Sequence, residues 1–178
     1  MGFLESRVSG QYGGATLKQA YLEIIALVER LHRECLEVIK MELERQGVRD
    51  LNSVQAMLLF NIGDTELTVG DLTERGCYLG SNVSYNVKKL TENGYLEQAR
   101  SRHDRRSVNV RLSAKGRNIA QQVEALFDRQ TAALADAQIG ARDLEVSREI
   151  LKRLEQFWAS SLGFRWRLSS MPGVAVVS

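Results

Sequence analysis

The chain has 178 residues, 44% of them hydrophobic and 26% charged, with a net charge of only +2. That is the balance of a globular protein with room for one domain and a dimerisation element, and no run approaches the ~20 apolar residues of a membrane span. Residues 1–14 lack the basic start and apolar core of a signal peptide, so a cytoplasmic protein is expected. Cys35, Cys77, His32 and His103 form no metal-ligand spacing, and neither a metal nor a cofactor is expected.

In chain order, residues 1–14 carry four glycines and no apolar period, the pattern of a loosely held arm. Over residues 15–46, Leu17, Tyr21, Ile24, Val28, Leu31, Cys35 and Val38 recur at steps of three and four. Leu22, Ile25, Leu36, Ile39 and Leu43 widen that apolar face. A helix of about 30 residues spans ~45 Å, and one apolar on more than one side suits packing against a second chain. Gly47 ends it. Asn52 or Ser53 then caps a shorter helix with Val54, Met57, Leu58 and Ile62 inside. After a turn at Gly63-Asp64, residues 66–68 read as a short strand. Thr68, with Asp71 three residues on, opens a helix over residues 69–75, and residues 76–80 make the turn of a helix-turn-helix.

Ser81 is the expected cap of the recognition helix that follows. With Val83, Val87 and Leu90 as the buried stripe, Ser81, Tyr85, Lys88 and Lys89 point outward, flanked by Asn82 and Ser84. Such a face holds two cations, hydroxyls and an amide but no aliphatic side chain. It suits a DNA major groove, where small polar groups reach base edges and lysines reach phosphates. Asn93-Gly94 stops the helix. Residues 95–100 and 108–112 read as the strands of a wing, and its basic tip at residues 103–106 is sized for a minor groove. Between residues 86 and 118 nine cations stand against three acids, a net of +6 that leaves −4 for the rest of the chain. Charge clustered in this way marks a polyanion binder.

The next helix runs roughly to Gln138, with Ile119, Val123, Leu126, Phe127, Gln130 and Leu134 inward, and Gly140 breaks it. A last helix over residues 141–162 carries Leu144, Leu151, Leu154, Phe157, Trp158 and Leu162 on its apolar side. The expected fold is mainly α. A winged helix-turn-helix with a two-stranded β-wing (52–113) stands between a dimerisation helix (15–46) and C-terminal dimerisation helices (114–163). The tail at residues 164–178 has no assigned role. It holds Pro172, the only proline, so the helices contain no proline kink.

This order of elements over residues 17–162 resembles the MarR family of bacterial transcriptional regulators. The most specific stretch is Arg102-His103-Asp104-Arg105-Arg106-Ser107-Val108-Asn109-Val110-Arg111-Leu112-Ser113-Ala114-Lys115-Gly116. It is similar to the family's Asp-x-Arg, alternating strand, Leu-Ser and nearby glycine. By that resemblance Asp104 orients Arg106, the arginine offered to the minor groove; Arg105 at the tip and Arg102 just before it are further candidate DNA contacts. A held guanidinium loses less entropy on binding, and narrow A·T-rich grooves attract it. The resemblance also implies a homodimer on a pseudo-palindromic double-stranded DNA site, its recognition helices ~34 Å apart. It further implies release by a small aromatic or phenolic effector between the dimer helices and the winged domain, with Tyr21, Ile25, Met57 and Phe60 as candidate walls.

The sequence departs from the family in two places. Tyr85 stands where an arginine is frequent, and residues 79–82 are more polar than usual, so base preference does not carry over. Competing readings are a non-specific architectural nucleic-acid protein and a redox-sensing regulator using Cys77, which would need an accessible low-pKa thiolate. No nucleophile–base pair or phosphate-cradling loop points to an enzyme.

Overall fold

The computed structural model describes residues 16–74, 80–100 and 108–161. Its elements are α1 (Leu17–Arg45), α2 (Ser53–Ile62), β1 (Leu67–Thr68), α3 (Val69–Glu74), α4 (Gly80–Glu92), β2 (Leu96–Arg100), β3 (Val108–Leu112), α5 (Ala114–Ala133) and α6 (Ala141–Ser161). Residues 1–38 and 39–178 are two compact units. Every buried side chain among the described residues lies in the second. Among the described residues, no helix is long and apolar enough to cross a membrane.

Capping side chains set where helices begin. Asn52, not Ser53, caps α2. Its side chain accepts from the Gln55 backbone N–H at 2.8 Å while the Asn52 N–H donates to Gln55 Oε1 at 3.2 Å. These reciprocal bonds satisfy two of the orphan donors at a helix start. Thr68 and Asp71 repeat the arrangement at α3, at 2.8 and 3.0 Å. Ser113 caps α5 by accepting the Gly116 N–H at 3.1 Å. The start of α4 differs from expectation: it begins at Gly80, so Ser81 lies inside its first turn instead of ahead of it.

Helix ends follow one pattern. Val48 N–H donates to Leu43 O at 2.9 Å across Gly47 (φ 73°), and Tyr95 N–H donates to Leu90 O at 2.8 Å across Gly94 (φ 74°). The left-handed residue at the hinge is what lets these six-residue closures form. The third closure falls at Gln138, not at the expected Gly140. The α-helical bonds of α5 end at Ala133, and three-residue turns carry the chain to Gln138, which takes φ 58° while Ile139 N–H donates to Leu134 O at 3.0 Å.

Around α2 the core closes on nearly every side. Ala56, Leu58, Leu59 and Ile62 are buried, and α2 packs chiefly on α5, where Phe60 meets Phe127 edge-on with ring centroids 5.3 Å apart. On α5, Ile119, Val123 and Leu126 are buried as expected, but Gln130 is exposed. With ten residues against twenty, α2 covers only part of its neighbour. The sheet is three-stranded, not the two-stranded wing alone, in the antiparallel order β1-β3-β2. Leu67 pairs with Val110 and Leu96 with Leu112, and all four are buried. The apolar alternation of β3 thus serves both neighbours.

Candidate nucleic-acid interface

The faces of α4 divide as its sequence requires. Val83, Val87 and Leu90 are buried, while Asn82, Ser84, Tyr85 and Lys88 are exposed, Tyr85 to 61%. Lys89 is half-buried and ion-pairs with Glu92 at 3.0 Å, which is the first cause of its raised pKa. Lys88 lies 3.9 Å from the other oxygen of Glu92. Two lysines therefore share one carboxylate, and the helix end keeps a positive balance.

The turn from α4 into β2 is fastened from beneath. Tyr95, 1% exposed, donates its hydroxyl to Asp50 Oδ1 at 2.6 Å. Lys115 Nζ donates to Asp50 Oδ2 at 2.9 Å and to Asn93 O at 3.1 Å, and sits 3.9 Å from the Tyr95 ring centroid. The Tyr95 hydroxyl, and after it Lys115, holds the Asp50 carboxyl below its ordinary range. Burial first, and then Asp50, pushes the Tyr95 hydroxyl up. A side chain at Gly116 would collide with the Tyr95 carbonyl, so the start of α5 lies directly against the root of the wing.

Acids temper the positive window. Arg111 pairs with Glu97 at 2.8 Å, Arg117 with Asp64 at 3.2 Å, and Lys115 with Asp50. Two of these partners, Asp50 and Asp64, come from outside residues 86–118. Arg102, Asp104, Arg105 and Arg106 lie outside the described residues, as does Cys77, and Ser81 is placed by its backbone alone.

Of the candidate effector walls, Tyr21 and Ile25 lie on α1, and Met57 and Phe60 on α2. Ile25, Met57 and Phe60 are half-buried, and Phe60 is engaged by Phe127. A polar cleft of about 230 Å³ lined by Gly63, Asp64, Thr65, Glu66, Arg111, Leu112 and Arg117 includes none of the four. Cys35 is half-buried and burial pushes its thiol pKa up, the opposite of a reactive thiolate. Among the described residues, no His, Cys, Asp and Glu cluster could hold a metal ion.

Two constellations escape a sequence reading. One is the Asp50–Tyr95–Lys115 anchor. The other is a buried amide pair, Gln55 and Asn86, whose side chains bond at 3.2 Å. Asn86 gives one faint signal, since on the helical wheel it falls beside Val83 and Leu90 rather than on the polar face.

Residues 51–116 match the family model of a winged helix DNA-binding domain. The exopolysaccharide II synthesis transcriptional activator ExpG of Rhizobium meliloti (strain 1021) is 37% identical over 141 residues, which are 79% of this chain and 73% of ExpG. Among solved structures, Streptococcus pneumoniae FabT in complex with DNA matches with a TM-score of 0.63 at 21% identity, over 79% of this chain and 98% of FabT. A mutant of E. coli MarR complexed with operator DNA matches with a TM-score of 0.63 at 17% identity, over 79% of this chain and 99% of that one. From the divided faces of α4, its antiparallel β2–β3 pair and this kinship, the chain belongs to the MarR family of winged helix-turn-helix transcriptional regulators.

Proposed function

We propose that this regulator works as a homodimer on a pseudo-palindromic DNA site in the cytoplasm, with α4 in the major groove and the wing tip in the minor groove. The observation that carries this is the division of α4 into an apolar stripe that is buried and a polar face that is exposed, directly before a fastened hairpin. FabT and MarR were each solved with DNA, which supports the same use of the fold here. In this assignment Ser81, Asn82, Ser84 and Tyr85 meet base edges, and Lys88 and Lys89 meet phosphates. Arg102, Arg105 and Arg106 supply the wing's charge, with Asp104 orienting Arg106. The phenol of Tyr85 both donates and accepts, so it selects bases differently from the arginine frequent in the family. An aromatic or phenolic effector would be held against Tyr21, Ile25, Met57 and Phe60.

Selection of bound duplexes from a random pool tests the assignment and reveals the site's symmetry. Arg106→Ala is expected to weaken binding to every duplex by about 1–3 kcal/mol and to lower the salt slope by about one. Tyr85→Ala is expected to relax preference at one position per half-site. Wild-type behaviour in both variants would overturn the assignment of helix and wing. Repeating the selection with a panel of phenolic compounds tests the effector.

A further inference from the structure

Among the described residues of α4, Asn86 is the buried polar side chain, 8% exposed among Val83, Val87 and Leu90. Its partner Gln55, on α2, is 7% exposed. The two belong to one directed chain of hydrogen bonds. The Asn52 backbone N–H donates to Gln55 Oε1 at 3.2 Å, Gln55 Nε2 donates to Asn86 Oδ1 at 3.2 Å, and Asn86 Nδ2 donates to Asn82 O at 2.9 Å. Each amide spends one end on its own helix's backbone and the other on its partner. The chain therefore runs from the cap of α2 to the first turns of α4, and it leaves each amide a single orientation.

Buried amides add little net adhesion, because the bonds they make replace bonds to water. Their value lies in geometry. An apolar stripe such as Val83, Val87 and Leu90 tolerates a small rotation of the helix with little loss of contact, whereas a hydrogen bond between two fixed amides does not. The main packing partner of α2 is α5, and those of α4 are α3 and β2, so the amide pair joins two helices whose chief neighbours differ. Tyr85 directly precedes Asn86, and Asn82 both ends the chain of bonds and stands exposed on the polar face. Side-chain tips lie ~6 Å from a helix axis, so a rotation of ~20° moves them by ~2 Å, more than a base contact survives.

We propose that Gln55 and Asn86 are a positioning pair that fixes the rotation of α4 about its axis and so decides which bases Asn82, Ser84 and Tyr85 meet. This rests on α4 being the DNA-reading helix. Neither residue touches DNA; both act through the helix that does.

The test compares wild-type protein with Gln55→Leu/Asn86→Leu, on the selected duplex and on random duplex at matched salt. Removing both partners together leaves no orphaned side-chain amide, but it also frees the Asn52 backbone N–H at the α2 cap, so the variant should stay folded with a modestly lower melting temperature. Affinity for random duplex should stay within about twofold, since phosphate contacts carry it. Preference for the selected duplex should fall by about tenfold or more, the discrimination of one good base contact. Asn86→Ala, a change to a strong helix former, is a second removal of the tie expected to show the same loss should the double variant fail to fold. Wild-type preference retained in a folded variant overturns the inference while leaving the DNA-reading role of α4 intact. A wild-type protein that prefers no duplex at all sinks both.

Discussion

Glu42 shows how a single side chain can be buried and ionised together. Its side chain is 9% exposed, yet it accepts from Arg45 at 2.7 and 2.9 Å and from Gln46 at 3.2 Å, and Arg129 of α5 lies 3.1 Å away. The forked hydrogen bonds of Arg45 come first among the causes that lower its carboxyl from the ordinary 4.5 to about 2. A carboxyl depressed in the folded state contributes stability that is fully present above its unfolded pKa, and that contribution is lost as pH falls through the folded value. The thermal midpoint is therefore expected to drop steeply between about pH 4.5 and about pH 2, with Asp50 contributing in the same direction. Glu42→Gln should flatten that decline while costing about 1–3 kcal/mol at neutral pH, because an amide cannot serve two guanidiniums. Melting curves followed by circular dichroism across a pH series check it. An unchanged acid slope in the Gln variant would assign the loss to other groups.

Elements were legible where local periodicity has one solution. The steps joining Val83, Val87 and Leu90 and the alternation of Val108, Val110 and Leu112 each fix a face, and Gly47 and Gly94 sit where a left-handed residue closes a helix. What escaped the sequence is joined by long loops. Gln55 meets Asn86 across 31 residues, and Asp50 meets Tyr95 across 45 and Lys115 across 65. Periodicity carries no information about such partners. The pairing of β1 with β3 is hidden for the same reason, since Leu67 must find Val110. Gln138 escaped for another: a non-glycine residue at positive φ is a local cost that the surrounding bonds impose. With Gly140 two residues away, the sequence suggested the wrong hinge. Gln138→Gly is accordingly expected to stabilise the protein by about 1 kcal/mol, raising the melting temperature by roughly 2–4 °C. Gly94→Ala, with open space for its methyl but φ 74°, should destabilise by a similar amount. Paired thermal melts decide it, and no gain from Gln138→Gly would mean that the turn relaxes without strain.

At the scale of the whole molecule, exposed apolar side chains on α1 and α6 are candidates for burial by the proposed second copy. On α1, Leu17, Leu22, Leu27, Val28, Leu31 and Met41 are exposed to between 40% and 88%. On α6, Leu144, Val146, Ile150 and Leu151 are exposed to between 45% and 50%. Large exposed apolar side chains on neighbouring turns are the kind of surface that a protein interface covers. In the proposed two-fold dimer, the two copies of α4 would stand one DNA turn apart. The same substitution then has opposite consequences in the two assembly states. In a single chain, Leu144→Glu with Leu151→Glu changes exposed positions and should alter stability by less than about 1 kcal/mol. In a dimer it buries two unpaired carboxylates per protomer, and the assembly should come apart. Sedimentation velocity is expected to show wild type near twice the 20.0 kDa chain mass and the variant near that mass. Affinity for a two-half-site duplex should fall at least about a hundredfold, because the second half-site no longer binds at an effective concentration near millimolar. Binding to a single half-site should be unchanged, since α4 and the wing are untouched. Wild-type protein sedimenting as a single chain would remove the dimer and, with it, the reason for a palindromic site.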